Sequence, residues 1–306
     1  MPEVSVNNLN QEFALGDNLT FRELDTGFIF ADIENDSASA QIFLHGAHIT
    51  SYVPKGEEPI IFLSTQSLFE PGKAIRGGIP ISWPWFADHP TDNTKPAHGF
   101  ARTSQWEVRG TRQLSVDETQ ITLGLVDNKE TRNLWDYSFD LEIAIRVGKE
   151  LNVELTMTNT DNEEYALTSA FHSYYHVSDV NNVRIHGLDN TSYIDKVHNY
   201  STKIQDGSIE VVDETDRIYL NTKNDCVIDD ASLSRKIQIR KTGSNSTVVW
   251  NPWIDKAREM KDLGNEDYTK FVCVETTNAG TDIITLAPGG KHKLGLNVSI
   301  KNHEIK

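Results

Sequence analysis

Apolar and polar residues alternate with a period of two along most of this chain, and that spacing restricts its fold more than any other feature. Ile121, Leu123 and Leu125 alternate with polar or small residues, as do Leu141, Ile143, Ile145 and Val147, and then Leu151, Val153, Leu155 and Met157. Successive strand side chains point to opposite faces, so each run reads as a strand with one face buried. The Gly148-Lys149-Glu150 turn joins the last two as a hairpin. Further strands are expected at 39–45, 47–53, 165–177, 235–241, 245–251, 270–276 and 292–300, separated by Gly, Asn, Asp and Pro. Helices are expected only at 129–135 and 254–262. The fold class that follows is all-β, a large antiparallel β-sandwich.

No Pro/Gly/Ser-rich linker or shift of composition divides the 306 residues. A chain of this length buries about three quarters of its unfolded surface without help from a disulfide or metal. A single domain over 1–306 is expected. Cys226 and Cys273 match no CxxC or zinc spacing, and Cys273 reads as a small core residue in the apolar run from Phe271 to Val274. The opening MPEVSVNNLNQEF lacks the basic and apolar regions of a leader, and no apolar stretch approaches a bilayer-spanning length. The expectation is a reduced, cytoplasmic, monomeric protein with no membrane partner.

With 29 Lys+Arg against 45 Asp+Glu, the net charge of −16 argues against nucleic acid as a partner, because a phosphate backbone needs a cationic footprint. One stretch departs from this. Lys73, Arg76, Lys95, Arg102, Arg109 and Arg112 outnumber Asp88, Asp92 and Glu107 there. Since salt screens charges beyond about 8 Å, a local cationic pocket can still hold an anionic small molecule. Within it, residues 75–102 read IRGGIPISWPWFADHPTDNTKPAHGFAR, too interrupted by Gly and Pro for a helix. Such a segment is a shaped loop, and long ordered loops carry function. Arg76 and Arg102 bracket it with the fork geometry that suits phosphate or carboxylate. The contents suggest a phosphorylated sugar.

Register sorts the remaining candidates. Between Ala166 and Val177, alternation puts Leu167, Phe171 and Val177 on one face and Ala170, His172, Tyr174 and His176 on the other. The same parity sets Glu275 beside Cys273 and Phe271, at the end of an otherwise apolar row. Taken singly, a strand histidine or a strand-end glutamate is usually structural, and Arg76 in a Gly-Gly bend can serve a surface ion pair. Only their coincidence argues for function. His172 and His176 lie about 13 Å apart on a strand, too far to share one zinc ion easily. No HExxH, EF-hand, P-loop or Gly-x-Ser-x-Gly pattern occurs, so Ser169 and Ser173 do not make a serine hydrolase. Trp83, Trp85 and Phe86 are expected in the core, with Trp250 and Trp253 beneath the site.

IRGGIPISWPWF, PAHGFAR, FHSYYHV, ETDRIYL, VVWNPWIDK and FVCVETTNA with TLAPGG follow one another in this order over nearly the whole chain. Together they resemble the glucose-6-phosphate 1-epimerases, or hexose-6-phosphate mutarotases, of the aldose 1-epimerase superfamily. That resemblance implies a galactose-mutarotase-like sandwich with its site on a concave face and no metal or organic cofactor. It implies His172 and Glu275 as catalytic residues and Asp216 as a holder of sugar hydroxyls. Arg76 and Arg102 match the arginines that favour a phosphorylated hexose, and His98 matches a second histidine near the sugar. Two positions depart from the pattern: members commonly carry Gly where Ala87 stands, and some carry Gln at Ala97.

On this reading the reaction is interconversion of α and β anomers by ring opening. Glu275 takes the proton of the anomeric hydroxyl, and protonated His172 gives one to the ring oxygen. Model values of about 4.3 for Glu and about 6.5 for His bracket the range that a pocket tunes. Two alternatives stay open: an aldose 1-epimerase acting on unphosphorylated sugar, and a carbohydrate-binding or regulatory domain without catalysis.

Overall fold

A computed structural model describes residues 5–302, so both ends of the expected 1–306 domain lie outside the described residues. Two eight-stranded antiparallel sheets dominate. The first holds the runs of strictest alternation. Phe139–Val147 and Leu151–Asn159 form the expected hairpin, flanked by Glu118–Val126 and Glu107–Ser115 on one side and by Lys291–Asn302, Arg235–Thr242, Cys226–Asp230 and Arg184–His186 on the other. Burial follows sequence parity: Leu141, Ile143, Ile145, Leu151, Val153 and Leu155 are buried, while the residues between them reach solvent.

The second sheet runs in the order Ser201–Ile204, Ser192–Asp195, Thr215–Tyr219, Ser246–Asn251, Phe271–Asn278, Ser169–Phe171 and Ile81–Ser82, with Tyr174–His176 also paired to Phe271–Asn278. Its inner residues Phe171, Tyr175, Tyr219, Val249, Val272 and Val274 share one continuous core with the first sheet, which makes the sandwich. A smaller sheet of Leu19–Glu23, Ile29–Glu34, Ala38–Phe43 and His48–Pro54 adds Phe21, Ile33 and Ile42 to the same core. The outer residues of the second sheet, Tyr174, Ile218, Val248, Trp250, Phe271 and Cys273, form a separate apolar cluster. The centre of this sheet is therefore buried on both faces, with every residue of Phe271–Asn278 enclosed, while its edge strand Ser201–Ile204 is exposed.

Three outcomes differ from the sequence reading. The strand expected at 165–177 is three pieces: Tyr165–Leu167 pairs with Ile284–Leu286, while Ser169–Phe171 and Tyr174–His176 both pair with Phe271–Asn278. The reason is the 75–102 segment, whose backbone takes the hydrogen bonds at the breaks: Thr168 N–H donates to Pro84, His172 to Pro80 and Tyr174 to Gly78. A helix at Val6–Phe13 was not expected. It is capped by Ser5 and lays a short stripe of Val6, Leu9 and Phe13, at i, i+3 and i+7, against the core. The two expected helices are shorter, at Lys129–Leu134, with Asn128 in a capping box, and at Trp253–Glu259. Among the described residues no helix is long and apolar enough to cross a membrane.

Candidate active site

Ser169–Phe171 and Tyr174–His176 keep one register against Phe271–Asn278, with Ala170 opposite Thr277 and Tyr174 opposite Cys273. The break between them sets His172 across from Glu275, and His172 Nε2 lies 3.4 Å from Glu275 Oε1. On the next strand Val248 stands opposite Glu275, and Trp250 stands opposite both Cys273 and Asp216. Directly paired residues share a face, so imidazole, both carboxylates and the indole all belong to the outer side of the sheet.

The segment 75–102 forms the facing wall. Gly77 and Gly78 have φ of +98° and +70°, and a Cβ at Gly78 would come within 2.3 Å of His48 Nε2, so only glycine fits this turn. The turn delivers Arg76, whose Nη1 donates to Tyr174 Oη at 2.9 Å and whose Nη2 meets Asp262 Oδ2 at 3.1 Å. At the far end Gly99 lies so close to Trp83 that a Cβ would sit 1.9 Å from its carbonyl oxygen. Beyond it, Arg102 Nη2 donates to Ala97 O at 2.8 Å, and among the described residues no carboxylate pairs with it. The acceptor is the main-chain carbonyl of residue 97, so this contact does not depend on the side chain at that position. Ala87 takes φ of +63°, a left-handed conformation that glycine adopts more readily. Its N–H donates to His98 Nδ1 at 3.2 Å, and Ser82 Oγ lies 3.1 Å from the same nitrogen. A nitrogen that accepts from an amide carries no proton, so neutral His98 turns an Nε2–H donor away from those partners.

All six residues singled out in the sequence (Arg76, His98, Arg102, His172, Asp216 and Glu275) line one cavity of about 380 Å³. Phe86, Val248 and Trp250 give it apolar walls, and Asp88, Lys196 and Lys256 add charge that sequence reasoning missed. Lys196 Nζ pairs with Asp216 Oδ2 at 2.8 Å, and Lys256 with Glu214 at 2.7 Å. Lys196 follows the short strand Ser192–Asp195, where only its parity with half-buried Ile194 marked it as facing the site. Of the two tryptophans expected beneath the site, Trp250 lines the cavity and Trp253 packs on Tyr268, which rests against the Trp250 cluster.

Burial and charge act on these groups together. Burial pushes the Glu275 carboxyl well above its ordinary range, and Asp216 adds to that, while Lys196 and Arg102 oppose it. His172 is lowered to about 3, first by burial and then by the Arg102 and Arg76 charges. Burial, followed by Arg76, lowers Arg102 to about 10. His98 is held well below the usual histidine range, by burial and then by Arg102 and His172. His172 Nδ1 and both Glu275 oxygens are buried without a hydrogen-bond partner, which is rare for polar atoms so enclosed. His172, Cys273 and Glu275 offer ligand-type atoms within 4.8 Å of one another. That proximity is what cross-strand neighbours on one face produce, and burial raises the Cys273 thiol well above its ordinary range.

The model of the aldose 1-epimerase family matches residues 31–299. A protein of Escherichia coli K12 named "Putative glucose-6-phosphate 1-epimerase" is 36% identical over 248 residues, covering 81% of this chain and 82% of its own. A protein of the same name from Salmonella typhimurium is 36% identical over 262 residues, covering 85% and 86%. The solved structure of a "putative mutarotase (YeaD)" from Salmonella typhimurium superposes with a TM-score of 0.89 at 32% identity, over 97% of this chain and 99% of that one. A galactose mutarotase related enzyme from Lactobacillus acidophilus, at 16% identity and a TM-score of 0.69 over 89% and 97%, shares the fold. The expected galactose-mutarotase-like sandwich is the one observed, and this chain belongs to the aldose 1-epimerase family.

Proposed function

We propose that this protein interconverts the α and β anomers of a hexose 6-phosphate, glucose 6-phosphate first among them, by opening and reclosing the sugar ring. The observation that carries this is the buried His172–Glu275 pair, 3.4 Å apart with unpartnered polar atoms, in the cavity that also holds Arg102. Glu275 carboxylate takes the proton of the C1 hydroxyl as C1=O forms and the bond from C1 to the ring oxygen breaks. His172 imidazolium gives its proton to that oxygen. Rotation about the C1–C2 bond and reversal of both transfers yield the other anomer. While the ring is open, His172 is neutral and Glu275 protonated, the charge states that burial favours for both.

Arg102, whose guanidinium makes one hydrogen bond among the described residues, is the principal phosphate ligand in this reading, and Arg76 is the second. Asp216 and the Nε2–H of His98 serve sugar hydroxyls. Because the phosphate contact does not change as the ring opens, it chiefly lowers KM. The reading includes a single domain, a monomer and a cytoplasmic setting, which two buried free cysteines suit. One observation favours action on unphosphorylated aldoses instead: Arg76 already spends both terminal nitrogens on Tyr174 and Asp262.

Anomer exchange measured by NMR decides between them. We expect kcat/KM about 100-fold higher for glucose 6-phosphate than for glucose, the worth of two charge-assisted hydrogen bonds at about 1.5 kcal/mol each. Equal values discard the phosphosugar, and no acceleration of either discards catalysis.

A further inference from the structure

A second cavity, of about 480 Å³, opens beside the catalytic one, and Phe86, Ala87, Asp88 and Lys196 line both. Its character differs. The floor is apolar, with Leu167, Ile218 and Ala279 buried, and Trp85 closes one side. Phe86 stands where the two cavities meet, its N–H donating to Thr168 Oγ1 at 2.8 Å and its ring edge-on to His98 at 5.0 Å. At the rim Tyr200 and Ile283 are 68% and 56% exposed, large apolar side chains left to solvent. A strained turn presents Tyr200 there. Asn199 and Tyr200 both have φ of +55°, a left-handed conformation that is costly for a bulky residue. Asp195 pins the turn, accepting from the His198 N–H at 3.1 Å and from Lys203 Nζ at 2.7 Å.

The register beneath the two cavities says how an occupant of the second is joined to one in the first. Ile218 pairs with Val248 and Val248 with Glu275, so the three form one row across the sheet, with His172 beyond Glu275. At about 4.8 Å per strand, Ile218 lies about 10 Å from Glu275. A hexose that opens here keeps its ring oxygen at His172 and C1 at Glu275. Past Glu275 the row runs under C2, C3 and C4, while C6, borne by the carbon next to the ring oxygen, lies toward the arginine end. C1 must stay unsubstituted for the ring to open. A group over Ile218 is therefore attached through C3 or C4, the hydroxyl-bearing carbons farthest from C1.

Resting on the ring-opening reading, we propose that the second cavity is a subsite for a further pyranose, so that the protein accepts reducing disaccharides linked through C3 or C4 as well as the single hexose. A pyranose carries C–H groups on its faces and hydroxyls around its edge. The faces suit Tyr200, Phe86 and the floor of Leu167 and Ile218, and the hydroxyls meet Asp88 and Lys196 at the junction. The phosphate contact of the reducing unit is untouched, because Arg76 and Arg102 line the catalytic cavity alone.

The test follows anomer exchange of glucose 6-phosphate by NMR, or of glucose should that be the sugar turned over, with unlabelled maltose, cellobiose, laminaribiose, isomaltose and glucose as competitors. The first three carry the second ring on C4 or C3, and isomaltose carries it on C6. At least one of the three should give an inhibition constant about 10-fold below that of glucose, the worth of one or two net hydrogen bonds, and isomaltose should show no such gain. Disaccharides that compete no better than glucose, or an equal gain with isomaltose, overturn the subsite and leave ring opening intact. Absence of any catalysed exchange overturns both. Tyr200→Ala/Ile283→Ala, altered only at exposed positions, should keep the exchange rate of the single hexose and return the tight disaccharide to the level of glucose. A gain that survives in this variant overturns the subsite, and the linkage comparison in the wild type decides should the variant fail to fold.

Discussion

The two eight-stranded sheets use the same pairing rules and arrive at different objects. In the Leu151–Asn159 sheet the central strands are long, one face is apolar and the other reaches solvent, and Leu155, Val153 and Ile143 meet the core, with Arg235 Nε the one buried side-chain polar atom left without a partner on the sheet's described strands. The Phe271–Asn278 sheet has short strands, is covered on both faces at its centre, and carries on its outer side a histidine and a glutamate whose buried polar atoms lack partners. Depth of burial does not separate them, since Leu155 and Glu275 are both enclosed. Satisfaction does. One sheet spends its buried surface on stability, and the other keeps unsatisfied groups that a substrate can use.

Substitutions should divide along the same line. Glu275→Gln is expected to lower kcat by about 10²–10⁴-fold, the usual contribution of a positioned acid or base, with the urea midpoint unchanged or raised because a buried carboxylate is lost. A variant equally active and less stable would make Glu275 a structural residue. Leu155→Ala should do the reverse, costing about 2–5 kcal/mol in denaturant unfolding while kcat per folded molecule is kept. Arg102→Ala should raise KM for glucose 6-phosphate by about 100-fold with a smaller change in kcat; an unchanged KM would remove it from the phosphate contact. The effect that is smallest at neutral pH is on acid stability, through His48. It is wholly buried beneath the Arg76-Gly77 turn, with Nε2 2.8 Å from Gly77 O, and is lowered to about 3, chiefly by burial. Its unfolded form binds a proton near pH 6.5, so the unfolded state holds more protons between these values. The stability it contributes is whole above about pH 6.5 and falls by about 1.4 kcal/mol per pH unit as acid is added. His48→Gln should flatten that decline, as read from urea midpoints at successive pH values.

The same contrast explains what could be read from the residues alone. Long half-exposed strands write their parity into the sequence, and Phe139–Val147 and Leu151–Asn159 were expected nearly to the residue. Ile81–Ser82, Thr215–Tyr219 and Ser192–Asp195 are too short, or too evenly buried, to write anything comparable. The split of 165–177 was hidden because the atoms that cause it belong to Pro80 and Pro84, far away in sequence. At the site, parity put His172 on the face opposite Phe171 and Glu275 in a row with Cys273 and Phe271, but it did not show that a broken strand aligns them. Lys196 and Asp262 escaped notice because their meaning lies in Asp216 and Arg76, partners that only the folded chain supplies.

The unbroken register on either side of His172 bears on how the protein matures. The imidazole and the carboxylate come from distant parts of the chain, on strands that pair only after the intervening hairpins have found their places. Such non-local closure is the slow part of building a β-protein. Catalysis should therefore return last during refolding, after fluorescence and circular dichroism have reported most of the structure, so an activity assay counts completed molecules and remains blind to every trapped intermediate.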